Sequence, residues 1–292
     1  MNSSSASSSA PSLFSRLSSP ADRLGFGAMQ LPGRWAGPAV ERATAVAVAR
    51  RAVELGARHI DTAAFYFSAT ERANDILREA LHPYPDVTIA TKVGPLRTAT
   101  GEMYAEARPE QLRGLVEENL RQLGIDALDL VYLRVGRLKA VGAVPLGERF
   151  AVLAALREEG LVRRLGVSNV SAEQLAEARA IAPVEAVQNR FGVLDQADGA
   201  LVDECAGAGI AYMPFFALGG GHTDLESGNL RTVAERHGAT AHQIALAWGL
   251  ARSPAIVQIP GTSSLTHLEE NMAAARIALD EDDLALLEPV AD

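Results

Sequence analysis

The sequence predicts an α/β protein folded as a (β/α)8 TIM barrel, and three observations carry that reading. Eight short apolar runs alternate with helix-like segments from Leu24 onward. Most of the runs are dominated by apolar residues rather than strictly alternating with polar ones, as strands buried on both faces are. The chemically versatile side chains fall at or just after the C-terminal ends of these runs, the face on which such barrels build their sites. A chain of 292 residues with 48% hydrophobic composition is long enough for one such domain.

In chain order the expected strands are Leu24–Met29, Arg58–Thr62, Val87–Lys92, Leu128–Leu133, Arg164–Val167, Ala186–Gln188, Ala211–Phe215 and Ile256–Ile259. The expected helices are Ala39–Leu55, Thr70–Leu81, Pro109–Leu123, Leu146–Glu159, Ala172–Ile181, Ala200–Gly209, Leu230–Ala251 with a break near His237–Gly238, and Leu265–Ile277. Thr70 and Ser171 stand where N-caps belong, Pro109 suits a first turn, and Gly160 and Gly209 suit helix ends. Residues 1–20 are Ser-rich and are read as a disordered tail, leaving 21–292 as a single barrel domain. Deleting Asn2 to Ser19 is accordingly expected to leave stability unchanged, Phe14 being the residue most open to exception.

Composition excludes several function classes. A net charge of −9 without a basic stripe argues against a nucleic-acid surface. The single cysteine, Cys205, lies in a helical pattern and reads as a small buried hydrophobe. No apolar run approaches the roughly 20 residues of a membrane span, and no secretory signal is recognisable, so a cytoplasmic protein without membrane partners is expected. Gly25 and Gly27 supply two glycines of a dinucleotide fingerprint but lack the third. No metal-binding motif is present, and no metal is expected.

All but two of the 27 basic residues are arginine; the lysines are Lys92 and Lys139. Lys92 ends the third strand-like run, while Asp61 ends the second and Tyr66 follows shortly after. A compact ammonium beside a phenol makes it a readier proton donor than a permanently charged guanidinium fork would. A carboxylate can hold that ammonium in place. The bland alternatives are a surface lysine or a buried ion pair beside a packed tyrosine, and buried pairs are weak stabilisers.

These segments, in order, resemble the aldo-keto reductase family over nearly all of Arg23–Pro289. The resemblance is carried by Arg23–Leu31, Asp61-Thr62-Ala63 with Tyr66, Thr91-Lys92, Leu165–Asn169, Val187-Gln188-Asn189 and Ile259–Ser264 followed by Glu270-Asn271. Within that family the chain is most similar to the bacterial pyridoxal reductases, through Gly209–Phe216 and His267–Met272. The resemblance implies hydride transfer between NADPH, with NADH left open, and a small-molecule carbonyl. It implies Tyr66 as proton donor, with Asp61, Lys92 and Arg134 completing the catalytic set. Ser168, Asn169 and Gln188 would hold the nicotinamide carboxamide, and Tyr212 would stack on its ring. Gly27, Met29, Pro214, Leu218, Gly219, Gly220, Gly261, Thr262, Ser263, His267, Glu270 and Asn271 would line the rest of the cofactor site. Trp35 and Phe67 are the substrate-pocket candidates.

Two departures from the family pattern bear on substrate. Arg134 stands at the end of the fourth strand where most of the family has His, and Phe67 follows the tyrosine where Gly is usual. An arginine donates hydrogen bonds but cannot present a neutral imidazole. The expected function is therefore reduction of an aldehyde or ketone, pyridoxal-like or a biosynthetic intermediate. A nicotinamide-binding subunit or sensor with little turnover, and a pathway imine reductase, stay open as alternatives.

Overall fold

The computed structural model describes residues 13–33, 40–84, 86–98, 100–136, 144–221, 225 and 228–288. Along the chain run strands β1 (Phe26–Gly27), β2 (His59–Asp61) and β3 (Thr88–Val93). A hairpin of β4 (Pro95–Arg97) and β5 (Met103–Glu106) follows, then β6 (Leu128–Arg134), β7 (Val162–Ser168), β8 (Ala186–Gln188) and β9 (Ala211–Tyr212). Seven of these form one parallel sheet in the order β1-β2-β3-β6-β7-β8-β9.

The expected eighth strand closes the ring through single bridges rather than a ladder. Ile256 pairs in parallel with Tyr212, and Gln258 with Leu24. Val257 N–H donates to the Tyr212 carbonyl, and Gly25 N–H to that of Gln258, both at 2.8 Å. The barrel is thus complete, and successive residues alternate between its interior and the helix layer. Ala90, Leu130, Tyr132, Ala186, Ala211, Met213 and Val257 cluster inside. Ile60, Ile89, Val131, Leu165, Val187 and Tyr212 pack outward with the helices.

Those helices are α1 (Arg42–Glu54), α2 (Ala73–Leu81), α3 (Pro109–Leu123), α4 (Gly147–Glu158), α5 (Ala172–Ile181) and α6 (Gly199–Ala208). They continue with α7 (Gly228–His237), α8 (Ala241–Arg252), α9 (Leu265–Ala273) and α10 (Glu281–Leu287). Ser171 caps α5 and Pro109 opens α3 as expected. Thr70 does not cap α2, which starts at Ala73. The long segment over 230–251 divides at Gly238, whose φ of +57° ends α7 before Thr240 caps α8. The first strand is shorter than expected because Ala28–Gln30 coils into a 3-10 turn. Helix α10 and the β4–β5 hairpin are additions to the expected set.

The tail expected to extend to Pro20 is ordered from Leu13. Leu13 is 4% exposed and joins the barrel-interior cluster, with Leu17 packed beside it. Its N–H donates to Glu185 Oε2 at 2.9 Å, at the N-terminal end of β8, where Arg164 also meets Glu185. Burying one leucine stabilises by roughly 2 kcal/mol, so this short segment is a plug on the barrel floor.

Candidate active site

Asp61 ends β2 and Lys92 sits near the end of β3, and the parallel register between these strands brings both side chains inside the barrel mouth. Lys92 Nζ donates to Asp61 Oδ1 at 2.6 Å and to the Thr62 carbonyl at 3.0 Å. Their side chains are 3% and 5% exposed. Burial works against the Lys92 ammonium, but the Asp61 carboxylate and the Tyr66 phenol outweigh it, so its pKa lies above the ordinary lysine value. Tyr66 is half-buried on the loop after β2, its ring centroid 4.8 Å from Lys92 Nζ.

Both strand ends are held from behind by a buried polar network in the helix layer. Thr62 Oγ1 donates to Asn74 Oδ1 (2.8 Å), Asn74 Nδ2 to Asn119 Oδ1 (3.1 Å) and Gln122 Oε1 (2.9 Å), and Thr91 Oγ1 to Asn119 Oδ1 (2.7 Å). Neighbours of Asp61 and Lys92 are thereby tied to α2 and α3, in an interior where satisfied hydrogen bonds hold a single geometry. Gly94 is a further local requirement. Its φ is +125°, and an added Cβ would lie 2.2 Å from the Arg134 carbonyl, so only glycine lets the end of β3 pass β6 this closely.

Arg134 is 4% exposed; Nη1 donates to Ser168 Oγ at 3.1 Å and its Cζ lies 4.8 Å from the Phe215 ring centroid. Burial pulls its guanidinium below the usual arginine range, opposed by the charges of Tyr66, Asp61 and Glu106. Gln188 Nε2 donates to Asp61 Oδ2 at 2.7 Å, leaving Gln188 Oε1 and Arg134 Nη2 buried without a partner among the described residues. Asn169, at φ +62°, donates from Nδ2 to the Val135 carbonyl at 2.8 Å. Asp61, Tyr66, Lys92, Arg134, Ser168, Asn169 and Gln188 therefore gather at one end of the barrel, though Gln188 spends its N–H on Asp61.

Tyr212 is not part of this group. It is fully buried in the helix layer, 5.9 Å edge-on from Phe191, and its hydroxyl donates to Asp198. Its neighbours Ala211 and Met213 face the interior, so strand parity turns Tyr212 outward. Phe215, two residues beyond Met213 and half-buried, is the aromatic ring that stands against Arg134, a position the sequence did not single out. Parity counted from Met213 was the signal that could have found it.

Arg97 was also missed. From β4 it donates to the Gly101 carbonyl at 2.6 Å and to the Phe65 carbonyl, and its Cζ lies 5.2 Å from the Phe67 ring centroid. The hairpin carrying it is latched by Glu106, which accepts from Gly136 N–H at 2.8 Å and pairs with Arg149. Phe67 thus packs with the hairpin; Trp35 lies outside the described residues.

The remaining candidates form a second group. Gly27 and Gly261 meet each other, an added Cβ at either lying 2.6 Å from a backbone oxygen. Met29 is 39% exposed and Pro214 is buried. Leu218 is partly buried, and Gly219 and Gly220 form a tight turn. Thr262, Ser263 and His267 surround the start of α9, which Ser264 caps and whose first turn holds no acidic residue. Asn271 is buried farther along α9, and the Glu270 carbonyl accepts from Gln243. A helix start with serine and threonine hydroxyls and no carboxylate suits a phosphate, and the orphaned Gln188 oxygen suits an amide N–H. Both fit a nicotinamide dinucleotide. Among the described residues no helix is long and apolar enough to cross a membrane, and no group of three His, Cys, Asp or Glu could hold a metal.

Residues 23–292 match the Aldo/keto reductase family. The chain is 46% identical to pyridoxine 4-dehydrogenase of Escherichia coli (strain K12), covering 92% of this chain and 94% of that protein. It is 36% identical to an uncharacterized oxidoreductase of Schizosaccharomyces pombe (strain 972), covering 91% and 86%. It is similar in structure to an aldo-keto reductase from Klebsiella pneumoniae in complex with NADPH, with a TM-score of 0.76, 26% identity, and 91% and 89% coverage.

Proposed function

Because the chain belongs to the aldo/keto reductase family, we propose that Tyr66 is its proton donor and that its substrate is an aromatic aldehyde of the pyridoxal type. The protein is an oxidoreductase of the carbonyl–alcohol couple, and its cofactor is NADP(H). The single observation that carries the finer reading is the buried Lys92–Asp61 pair beneath the Tyr66 ring. The substrate follows from likeness to the Escherichia coli pyridoxine 4-dehydrogenase.

When bound, NADP(H) supplies the hydride that reaches the carbonyl carbon. Tyr66 gives its phenolic proton to the carbonyl oxygen as that oxygen gains charge. Lys92 stabilises the phenolate left behind, and Asp61 keeps the ammonium charged and in place. Arg134 donates toward the developing oxyanion from the side of Ser168. Gln188 Oε1, Ser168 and Asn169 would hold the nicotinamide carboxamide, Phe215 would supply an aromatic wall, and the α9 start would take a phosphate. The half-buried rings of Phe65, Tyr66, Phe67 and Phe215 would limit the access of water to the reacting atoms.

The test mixes purified protein with NADPH and a panel of aldehydes that includes pyridoxal, and follows NADPH absorbance. Aldehyde-dependent oxidation is expected, fastest with the aromatic members. Binding of NADPH without oxidation by any aldehyde would favour a sensor or subunit instead.

A further inference from the structure

Among the described residues, Lys92, Arg97 and Arg134 bring positive charge to this end of the barrel, and Asp61 is hydrogen-bonded directly to the first of them. Lys92 is neutralised by Asp61, whose second oxygen is taken by Gln188. Glu106, the next carboxylate, is spent on Gly136 N–H and Arg149. Arg97 and Arg134 form no ion pair among the described residues. Their partners are neutral: two backbone carbonyls and the Phe67 ring for Arg97, the Ser168 hydroxyl and the Phe215 ring for Arg134. Arg134 Nη2 is buried without a partner among the described residues.

The two guanidiniums come from different elements, and Arg97 brackets Tyr66 through its neighbours. Arg97 grips the Phe65 carbonyl, one residue before the phenol, and faces the ring of Phe67, one residue after it. Arg134 comes from the end of β6 and lies against Ser168 and the Phe215 ring. Gly94, three residues before Arg97, passes against the Arg134 carbonyl, so both side chains belong to the same end of the barrel. A cation withdrawn from water without a counter-charge is costly, and a ligand oxyanion removes that cost while gaining charge-assisted hydrogen bonds. Each guanidinium is fixed by its neutral partners and keeps donors to spare, as a preorganised anion site requires.

Building on the reductase reading above, we propose that the substrate carries an ionised oxygen within one or two atoms of its carbonyl carbon, held between Arg97 and Arg134. Two kinds of molecule share this chemistry: an aromatic aldehyde with an ionised ortho hydroxyl, and a 2-oxo carboxylate. A neutral aldehyde would give neither guanidinium a directly bonded oxyanion.

Matched pairs test this. One pair is pyridoxal and its 3-O-methyl ether; the other is phenylglyoxylate and its methyl ester. In the wild type the ionised member of at least one pair should exceed its partner in kcat/KM by about thirtyfold or more. Arg97→Gln should cut that ratio about tenfold, and Arg134→Lys should cut it as well, while the Kd for NADPH stays unchanged. Discrimination within the pyridoxal pair alone assigns the site to a phenolate, and within the other alone to a carboxylate. A wild-type ratio near one in both pairs, or a ratio preserved in both variants, overturns the proposal. If no member of either pair is reduced, the reductase reading fails for these carbonyls, and the anion site is then read by titrating salicylate and salicylamide into the NADP+ complex. Tighter binding of salicylate, lost in Arg97→Gln, supports the site; equal binding overturns it.

Discussion

Gln188 Nε2 reaches Asp61 Oδ2 at 2.7 Å, occupying the carboxylate oxygen that Lys92 leaves free. An amide expected to serve the cofactor therefore also fixes the anion on which Lys92 depends. Both side chains are buried, so Gln188→Leu should leave Asp61 with an unanswered oxygen and cost about 1–3 kcal/mol of stability. It should also lower kcat. Thermal unfolding and steady-state kinetics on the one variant check both; unchanged stability would show that Oδ2 finds another donor.

His59 lies two residues before Asp61 on β2, buried, and neither ring nitrogen has a hydrogen-bond partner among the described residues. Burial pushes its pKa down to about 4. Between that value and the unfolded value of about 6.5, the unfolded chain holds a proton that the native state refuses. Stability should therefore fall as pH drops through this window and stop falling on this account below it. His59→Leu removes the group. From about pH 7.5 to about pH 4.5 the wild type should lose roughly 2–3 kcal/mol more than the variant, read from denaturant midpoints. Parallel losses would mean that His59 is not held neutral.

Leu13 plugs the barrel floor against Glu185 and the interior cluster. Leu13→Ala should cost roughly 2 kcal/mol or more, and removing residues through Leu17 should lower the melting temperature by several degrees. Melting curves of both variants decide; an unchanged truncation would return this segment to the status of a tail.

Tyr212 and Phe215 can be separated by cofactor binding. Tyr212→Phe removes the hydroxyl from Asp198, which keeps Asn189 as a donor at 2.9 Å, so a stability loss of about 1 kcal/mol with unchanged NADPH affinity is expected. Phe215→Ala should weaken NADPH binding instead. Fluorescence titration distinguishes them, and the reverse pattern would restore Tyr212 to the site.

The end of the barrel that holds the candidate site was legible because Asp61 and Lys92 stand at the ends of strand-like runs, and in a parallel barrel strand ends share one face. The side chains facing that end were less so. Strand β9 is two residues long, and without its parity Tyr212 and Phe215 look equally placed. The β4–β5 hairpin depends on Gly94 passing under Arg134, a long-range contact with no local signature. Helix α10, by contrast, carried a readable signal in the Asp280–Asp283 capping box. In the Ser-rich segment, composition outweighed Leu13, Phe14 and Leu17, whose docking depends on an open barrel floor that sequence does not display.

Tyr66→Phe tests the proposed chemistry most directly, because it keeps the ring above Lys92 and removes only the proton. Turnover of pyridoxal at saturating NADPH, measured beside the Kd for NADPH, is the measurement. A fall in kcat on the order of a hundredfold to ten-thousandfold, with NADPH binding unchanged, is expected. Near wild-type turnover by Tyr66→Phe would contradict it and move the proton donor elsewhere in the site.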